Sequence, residues 1–232
     1  MLSVLQLEKE QTRITDSYTD ELFDCKPNLT KKIVFPVSRL AVDPERLVDD
    51  EEEPMYKYGM GVIYSKTSGG QILRKHLSAA ERLSLITKYY DPHHSKLAKA
   101  VRVALAAHNR CLIIDCHSFP SKPFAYEQDQ SPNRPDICIG TDAFHTPAWL
   151  KDLAVRLFEK QGFSVAVNKP FAGAIVPLQY YKVNADVFSI MIELNRVLYL
   201  RESSGTRNEE FISLKIKLNI ILTTLIREVG SK

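Results

Sequence analysis

Residues 111–118, Cys-Leu-Ile-Ile-Asp-Cys-His-Ser, place Asp115, Cys116, His117 and Ser118 at the end of an apolar, β-branched run, and Pro120 stops any regular continuation. The run reads as a buried strand with polar groups at its C-terminal end, where open α/β sheets build their ligand sites. Side chains alternate along a strand, so Asp115 and His117 share one face while Cys116 and Ser118 point to the other. A base must reach its nucleophile within hydrogen-bond distance, which argues against a Cys116–His117 or Ser118–His117 hydrolase pair. His117 as a metal ligand, with Asp115 bonded behind it, suits the position better; a structural histidine is the plainer alternative. A second acidic candidate lies in Ser-Ile-Met-Ile-Glu-Leu-Asn-Arg, where Glu193 ends another apolar strand. A carboxylate there is costly to bury without a task or a partner. It is either paired with an arginine such as Arg196 or a general base acting on water.

The elements that must carry these residues alternate between helix and strand. Asp16 to Phe23 starts a short helix, and Lys31 to Val37 reads as a strand. The acidic run Asp49 to Glu53 reads as a solvated loop, and Gly59, Gly61, Gly69 and Gly70 mark a loop-rich stretch. Ser78 and Glu81 form a capping-box pattern ahead of a helical region to Asn109, with Leu83, Ile86, Tyr90, Leu97, Val101 and Leu105 at helical spacing. Asp91-Pro92 divides that region into two helices. The prolines of residues 120–135 predict a long loop. Pro135 to Gly140 and Phe163 to Asn168 read as short strands, Thr146 to Gln161 as a helix stopped by Gly162, and Phe188 to Leu194 as a buried strand. Residues 211–229 fit both periods, but their length, Glu209 and Glu210 before them and Gly230 after them favour a helix. The pattern is that of an α/β domain with a mainly parallel sheet.

Composition sets bounds on partners. The chain has 232 residues and a net charge of +3, so neither nucleic acid nor an anionic membrane is implied as a partner. Its four cysteines, Cys25, Cys111, Cys116 and Cys138, have no C-x-x-C spacing and read as reduced structural thiols of a cytoplasmic protein. No secretory signal and no membrane span are expected.

Seven segments, taken in order, carry a family resemblance. They are Thr15-Asp16-Ser17-Tyr18 with Glu21-Leu22-Phe23; Ser38-Arg39-Leu40-Ala41-Val42-Asp43-Pro44-Glu45-Arg46; Tyr90-Asp91-Pro92-His93-His94; Asp115-Cys116-His117-Ser118; Arg134-Pro135-Asp136-Ile137 with Gly140-Thr141; Asn168-Lys169-Pro170-Phe171-Ala172-Gly173; and Ile192-Glu193-Leu194-Asn195-Arg196 with Tyr199. These resemble the motifs of the N-formylglutamate amidohydrolases, a family related in fold to zinc carboxypeptidases. The resemblance implies one domain over residues 1–232, a three-layer α/β fold of the phosphorylase/hydrolase type with a parallel or mixed sheet. It also implies a zinc-dependent hydrolase of an N-acylated acidic amino acid. His117 would be a zinc ligand, Asp16 the carboxylate ligand with Glu21 as the competing choice, and Glu193 the general base. Arg39 and Arg46 would hold substrate carboxylates, a task suited to guanidinium, with Asp43 orienting one of them. Asn168 and the Phe171–Gly173 loop would line the pocket. His94 is open between a site role and a structural hydrogen bond.

Three departures stand beside that resemblance. The family's first strand ends in Pro-His-x-Gly, whose histidine supplies a zinc ligand; no such segment occurs, and no histidine precedes Asp16. A catalytic zinc usually has three protein ligands, so the third is left open among an upstream segment, Glu21, His93 or His94, or none. Glu45 stands where the family has Asn, and Ala174 where it has a second glycine. The alternatives to the enzyme are a degenerate relative that binds an acidic small molecule or a protein, and a metallopeptidase acting on a longer substrate. Oligomeric state is not legible in the sequence.

Overall fold

The computed structural model describes residues 2–25 and 30–231. In chain order the elements are α1 (Val4–Ile14), α2 (Thr19–Leu22), α3 (Ala79–Leu85), a π-helical turn (Ile86–Tyr90), α4 (Asp91–His108), β1 (Cys111–Phe119), β2 (Ile137–Gly140), α5 (Ala148–Lys160), β3 (Val165–Val167), β4 (Val187–Asn195), β5 (Leu200–Arg201), β6 (Thr206–Arg207) and α6 (Phe211–Gly230). Contacts divide the chain into two compact units. One comprises Met1–Thr15, Ile33–Leu97 and Phe124–Gln130; the other comprises Asp16–Lys32, Ala98–Pro123 and Ser131–Lys232.

The second unit is built on a four-stranded sheet in the order β1-β4-β2-β3. β1 runs parallel to β4 and β3 parallel to β2, but β2 is antiparallel to β4, so the sheet is mixed. Alternation splits each strand cleanly. Leu112 and Ile114 of β1, Ile190, Ile192 and Leu194 of β4, and Ile137 and Ile139 of β2 face a core closed by Leu150, Ala154 and Phe158 of α5 and Leu214, Leu218, Ile221, Leu222 and Leu225 of α6. Each such side chain removed from water contributes about 1.5–3 kcal/mol, and this face settles the period conflict of residues 211–229 in favour of helix. The opposite face is covered near the strand starts by Val101, Ala104 and Leu105 of α4 with Ile175, Val176 and Tyr180, packed on Cys111, Ile113 and Val187. The polar ends of β1 and β4 lie on that same face, beyond this cover.

The first unit consists largely of turns around two apolar clusters, Ile14, Leu40, Met60 and Tyr64 in one and Val42, Val62 and Ile86 in the other. Three expectations change here. Lys31–Val37 forms no strand: among the described residues it joins no ladder, Val34 is 55% exposed, and Pro36 has no N–H to donate. The acidic run is not wholly solvated, because Glu53 is buried and accepts from the Leu47 and Met55 amides at 2.8 and 2.9 Å. Asp91-Pro92 does not divide the helix. The Ser78–Glu81 capping box forms, and the π-helical turn absorbs the proline, with the Asp91 amide reaching back to the Ile86 carbonyl before α4 continues.

Candidate active site

Strand register assembles the centre of the site. His117 of β1 pairs with Glu193 of β4, and Glu193 pairs with Cys138 of β2. Residues paired in register project to the same face, so His117, Glu193 and Cys138 form a row across three strands. Neighbours on that face are Asp115 and Phe119 of β1. Glu193 is buried, 8% exposed.

Both ring nitrogens of His117 meet carboxylates. Nε2 lies 2.9 Å from Asp115 Oδ1, a hydrogen-bond length that places the proton on Nε2. Nδ1 lies 3.4 Å from Asp16 Oδ2. Asp16 is held beside the edge strand by its other oxygen, Oδ1, which accepts from the Ser118 amide at 3.0 Å and the Ser118 hydroxyl at 2.8 Å. Arg196, 6% exposed, donates through Nε to Ser118 Oγ at 3.0 Å and through Nη2 to the Ser118 carbonyl at 3.3 Å and Asp16 Oδ1 at 3.4 Å. The Asp16 carbonyl accepts from the Thr19 hydroxyl at 2.8 Å, and Tyr18 packs edge-on to Phe211, so the segment ahead of α2 is tied down.

This donor set can be tested against zinc. Two ligands each about 2.0–2.1 Å from a tetrahedral ion stand roughly 3.3–3.4 Å apart. The Nδ1–Oδ2 separation of 3.4 Å matches one such edge, while the Asp115 bond behind the imidazole is the usual support of a ligating histidine. The chemistry and spacing of this pair fit the metal. Among the described residues of this unit, no third His, Cys, Asp or Glu donor joins the two. Glu21, the competing carboxylate, pairs with Arg207 instead and is about two-fifths exposed.

The loop after β3 covers the far side of the row. The Cys138 thiol donates to the Phe171 carbonyl at 3.1 Å. Burial first, and the charge of Glu193 further, push that thiol up to about 11, with the Phe171 bond and Arg134 opposing. Burial likewise pushes Cys111 up to about 11 and raises Cys116. All four cysteines are free. Gly173 has φ +104°, a backbone that favours glycine, and its carbonyl closes over Gly140, where an added Cβ would lie 2.5 Å from it. Asn168 is exposed and ties the loop to the end of β2, accepting from the Thr141 amide at 2.9 Å and donating to the Thr141 hydroxyl at 2.8 Å.

Within the first unit, Asp43 is fully buried, with Arg39 Nε at 3.8 Å and Arg46 Nε at 3.7 Å, and it accepts from the Tyr64 hydroxyl at 2.7 Å. Burial alone would raise this carboxyl, but Arg39, then Arg46, then the Tyr64 and Glu45 hydrogen bonds hold it below the usual carboxylate range. Asp43 thus orients both arginines rather than one. The turn that carries Arg46 is pinned from α4 and the π-helical turn: His94 Nε2 donates to the Pro44 carbonyl at 2.9 Å, and the Tyr90 hydroxyl donates to the Arg46 carbonyl at 3.1 Å. These bonds make His94 a support of the turn. Sequence reasoning missed the Ser118–Arg196 clamp and the role of Gly140, although Arg196 three places after Glu193 was the available signal for the first.

Fold and site together define a mixed α/β protein with a histidine–carboxylate site at the ends of its strands. The chain belongs to the N-formylglutamate amidohydrolase family, whose model matches residues 2–200. It is 26% identical over 198 residues to the N-formylglutamate deformylase of Pseudomonas aeruginosa, covering 82% of this chain and 72% of that protein. The crystal structure of N-formylglutamate amidohydrolase from Ralstonia eutropha JMP134 is similar with a TM-score of 0.82 and 25% identity, over 96% of this chain and 86% of that one. A gene product of Agrobacterium tumefaciens shares the fold, with a TM-score of 0.56 and 20% identity over 84% of this chain and 67% of that one. No helix among the described residues is long and apolar enough to cross a membrane.

Proposed function

We propose that this chain is an amidohydrolase that cleaves the formamide of N-formyl-L-glutamate, releasing L-glutamate and formate. The observation that carries the reading is the row joining His117 to the buried Glu193, with Asp16 at the Nδ1 edge of the imidazole. The family match and the name of the Pseudomonas aeruginosa relative support the choice of substrate.

Glu193 takes a proton from the attacking water as oxygen adds to the formyl carbon, and returns it to the amine nitrogen as the C–N bond breaks. His117 Nδ1 and Asp16 Oδ2 would hold zinc, which when bound supplies a Lewis acid for the carbonyl and acidifies water. Asp115 keeps the proton on Nε2, and Ser118 and Arg196 keep Oδ1 of Asp16 engaged so that Oδ2 faces His117. Arg39 and Arg46, on the first unit, are assigned to carboxylate recognition, with Asp43 holding both guanidinium groups. Gly173 lets the backbone of its loop approach the site face.

A second reading, a binding protein that keeps the acidic ligand without the reaction, draws on one observation: two metal donors meet in the second unit where a catalytic zinc takes three. Formate release from N-formyl-L-glutamate by the purified protein separates the two. Under the enzyme reading, Glu193→Gln lowers kcat by about 10²–10⁴-fold with KM little changed, and a zinc chelator abolishes turnover. No formate release by the wild-type protein supplied with zinc overturns it.

A further inference from the structure

We propose that Tyr90 is the residue that positions Arg46 for a carboxylate of the substrate, an inference that rests on the amidohydrolase reading above and its assignment of Arg46. The stretch from Pro44 to Leu47 lies in no helix or strand, yet each of its four residues is held at the backbone by a side chain. The Pro44 carbonyl accepts from His94 Nε2 at 2.9 Å, and the Glu45 amide donates to Asp43 Oδ1 at 2.9 Å. The Arg46 carbonyl accepts from the Tyr90 hydroxyl at 3.1 Å, and the Leu47 amide donates to Glu53 Oε2 at 2.8 Å. The tip of Arg46 is treated differently. Its Nε stands 3.7 Å from Asp43 Oδ2, an ion-pair distance too long for a hydrogen bond, and it is buried without a hydrogen-bond partner. The rest of the side chain reaches water, at 24% exposure.

A structural arginine spends its five donors on the protein around it. A guanidinium that keeps them, on a backbone clasped at four successive residues, is a preorganised arm for a planar anion, and the ordering cost is met before the ligand arrives. Of the four clasps, only that of Tyr90 acts on Arg46 itself. It fixes the plane of the peptide that follows the arginine. The clasp is delivered by the π-helical turn, a feature that recurs at functional sites. Ile86, at the start of that turn, is buried with Val42 and Val62, and Tyr90, at its end, packs on His94 with ring centroids 4.1 Å apart. One end of the turn is thus anchored in the core and the other against the residue that grips Pro44. Burial first, and then the charge of Glu45, push the Tyr90 hydroxyl up to about 12, so it stays protonated and remains a donor.

The test compares wild type, Tyr90→Phe, Arg46→Met and the double variant by steady-state kinetics on N-formyl-L-glutamate and on its two singly amidated analogues, the γ-amide and the α-amide. Tyr90→Phe keeps the ring and loses one donor, so KM for N-formyl-L-glutamate rises about 3- to 10-fold while kcat stays within about twofold. Preference over one of the two amides falls by the same factor, which also tells which carboxylate Arg46 reads. In the Arg46→Met background the same change is silent, because the hydroxyl acts through the arginine. An unchanged KM, a loss shared equally by all three substrates, or a full effect of Tyr90→Phe without Arg46 overturns the proposal in favour of a purely structural tyrosine. The wild-type rate of formate release tests the amidohydrolase reading itself. Calorimetric titration with L-glutamate reads Tyr90 without turnover: affinity falls about 3- to 10-fold in Tyr90→Phe if the proposal holds. An unchanged affinity, or a wild type that does not bind glutamate, overturns it whatever the activity.

Discussion

Gly140→Ala is the sharpest test of how the loop and sheet build the site. A Cβ at this position would stand 2.4 Å from Met191 Cε and 2.5 Å from the Gly173 carbonyl oxygen. The methionine end can swing away, but the carbonyl cannot move freely. Its loop is fastened on one side by the Cys138–Phe171 bond at 3.1 Å and on the other by the Ser189 hydroxyl donating to the Ile175 carbonyl at 2.7 Å. Restoring an ordinary carbon–oxygen contact of about 3.3 Å requires a shift of roughly 0.8 Å. Overpacking of this kind costs about 1–3 kcal/mol. For a chain of this length each kcal/mol lowers Tm by about 2–4 °C, so the expected drop is about 2–12 °C by calorimetry. The displaced Gly173 backbone also lowers kcat/KM for formate release. Gly230→Ala is the control, since a Cβ there meets nothing within 4 Å and the residue ends a helix; it is neutral or slightly stabilising. A Gly140→Ala protein melting within 1 °C of wild type would refute the account of the loop as a fixed lid on β2.

Three further outcomes are expected. Asp43→Asn strands two guanidinium groups that are 26% and 24% exposed, and it costs about 2–3 kcal/mol in urea unfolding, less than a fully buried pair because water screens the arginines; a loss under 0.5 kcal/mol contradicts the orienting role. Arg196→Met loosens Asp16 and weakens zinc affinity about 10- to 100-fold in a competition titration with a chromophoric chelator; unchanged affinity removes the clamp from the metal argument. His94 is shifted below its ordinary value by burial, with the Pro44 carbonyl and Asp91 opposing. The unfolded chain therefore binds the proton more readily, and the folded protein loses stability as pH falls below about 6.5. His94→Gln should flatten that loss between pH 7.5 and 5.5, and equal slopes would refute the assignment.

Local pattern made much of this molecule legible. The alternation along residues 111–119 puts Asp115 and His117 on one face, and the structure joins them by a 2.9 Å bond. The Ser78–Glu81 capping box forms as its spacing implies, and the length of residues 211–230 decides for helix. Such features follow from interactions a few residues apart, which spacing encodes directly. Lys31–Val37 shows the limit: a strand needs a partner, and composition alone does not supply one. The π-helical turn that takes up Pro92 likewise rests on a backbone bond, from the Asp91 amide to the Ile86 carbonyl, that residue type does not encode.

The site is where sequence alone runs short. Residue types nominated His117 and Glu193 and the family resemblance added Asp16, but 101 positions separate Asp16 from His117, and spacing could not choose between Asp16 and Glu21. The fold brings Asp16 to the imidazole at the edge of β1, where Ser118 and Arg196 hold it, while Glu21 pairs with Arg207. Strand order decided that His117, Glu193 and Cys138 share one row, because register is set by packing both sheet faces at once. The sequence by itself determined which side chains could do the chemistry. Tertiary structure decided which of them meet, since only the folded sheet brings distant residues within the few ångströms at which a proton or a ligand is shared.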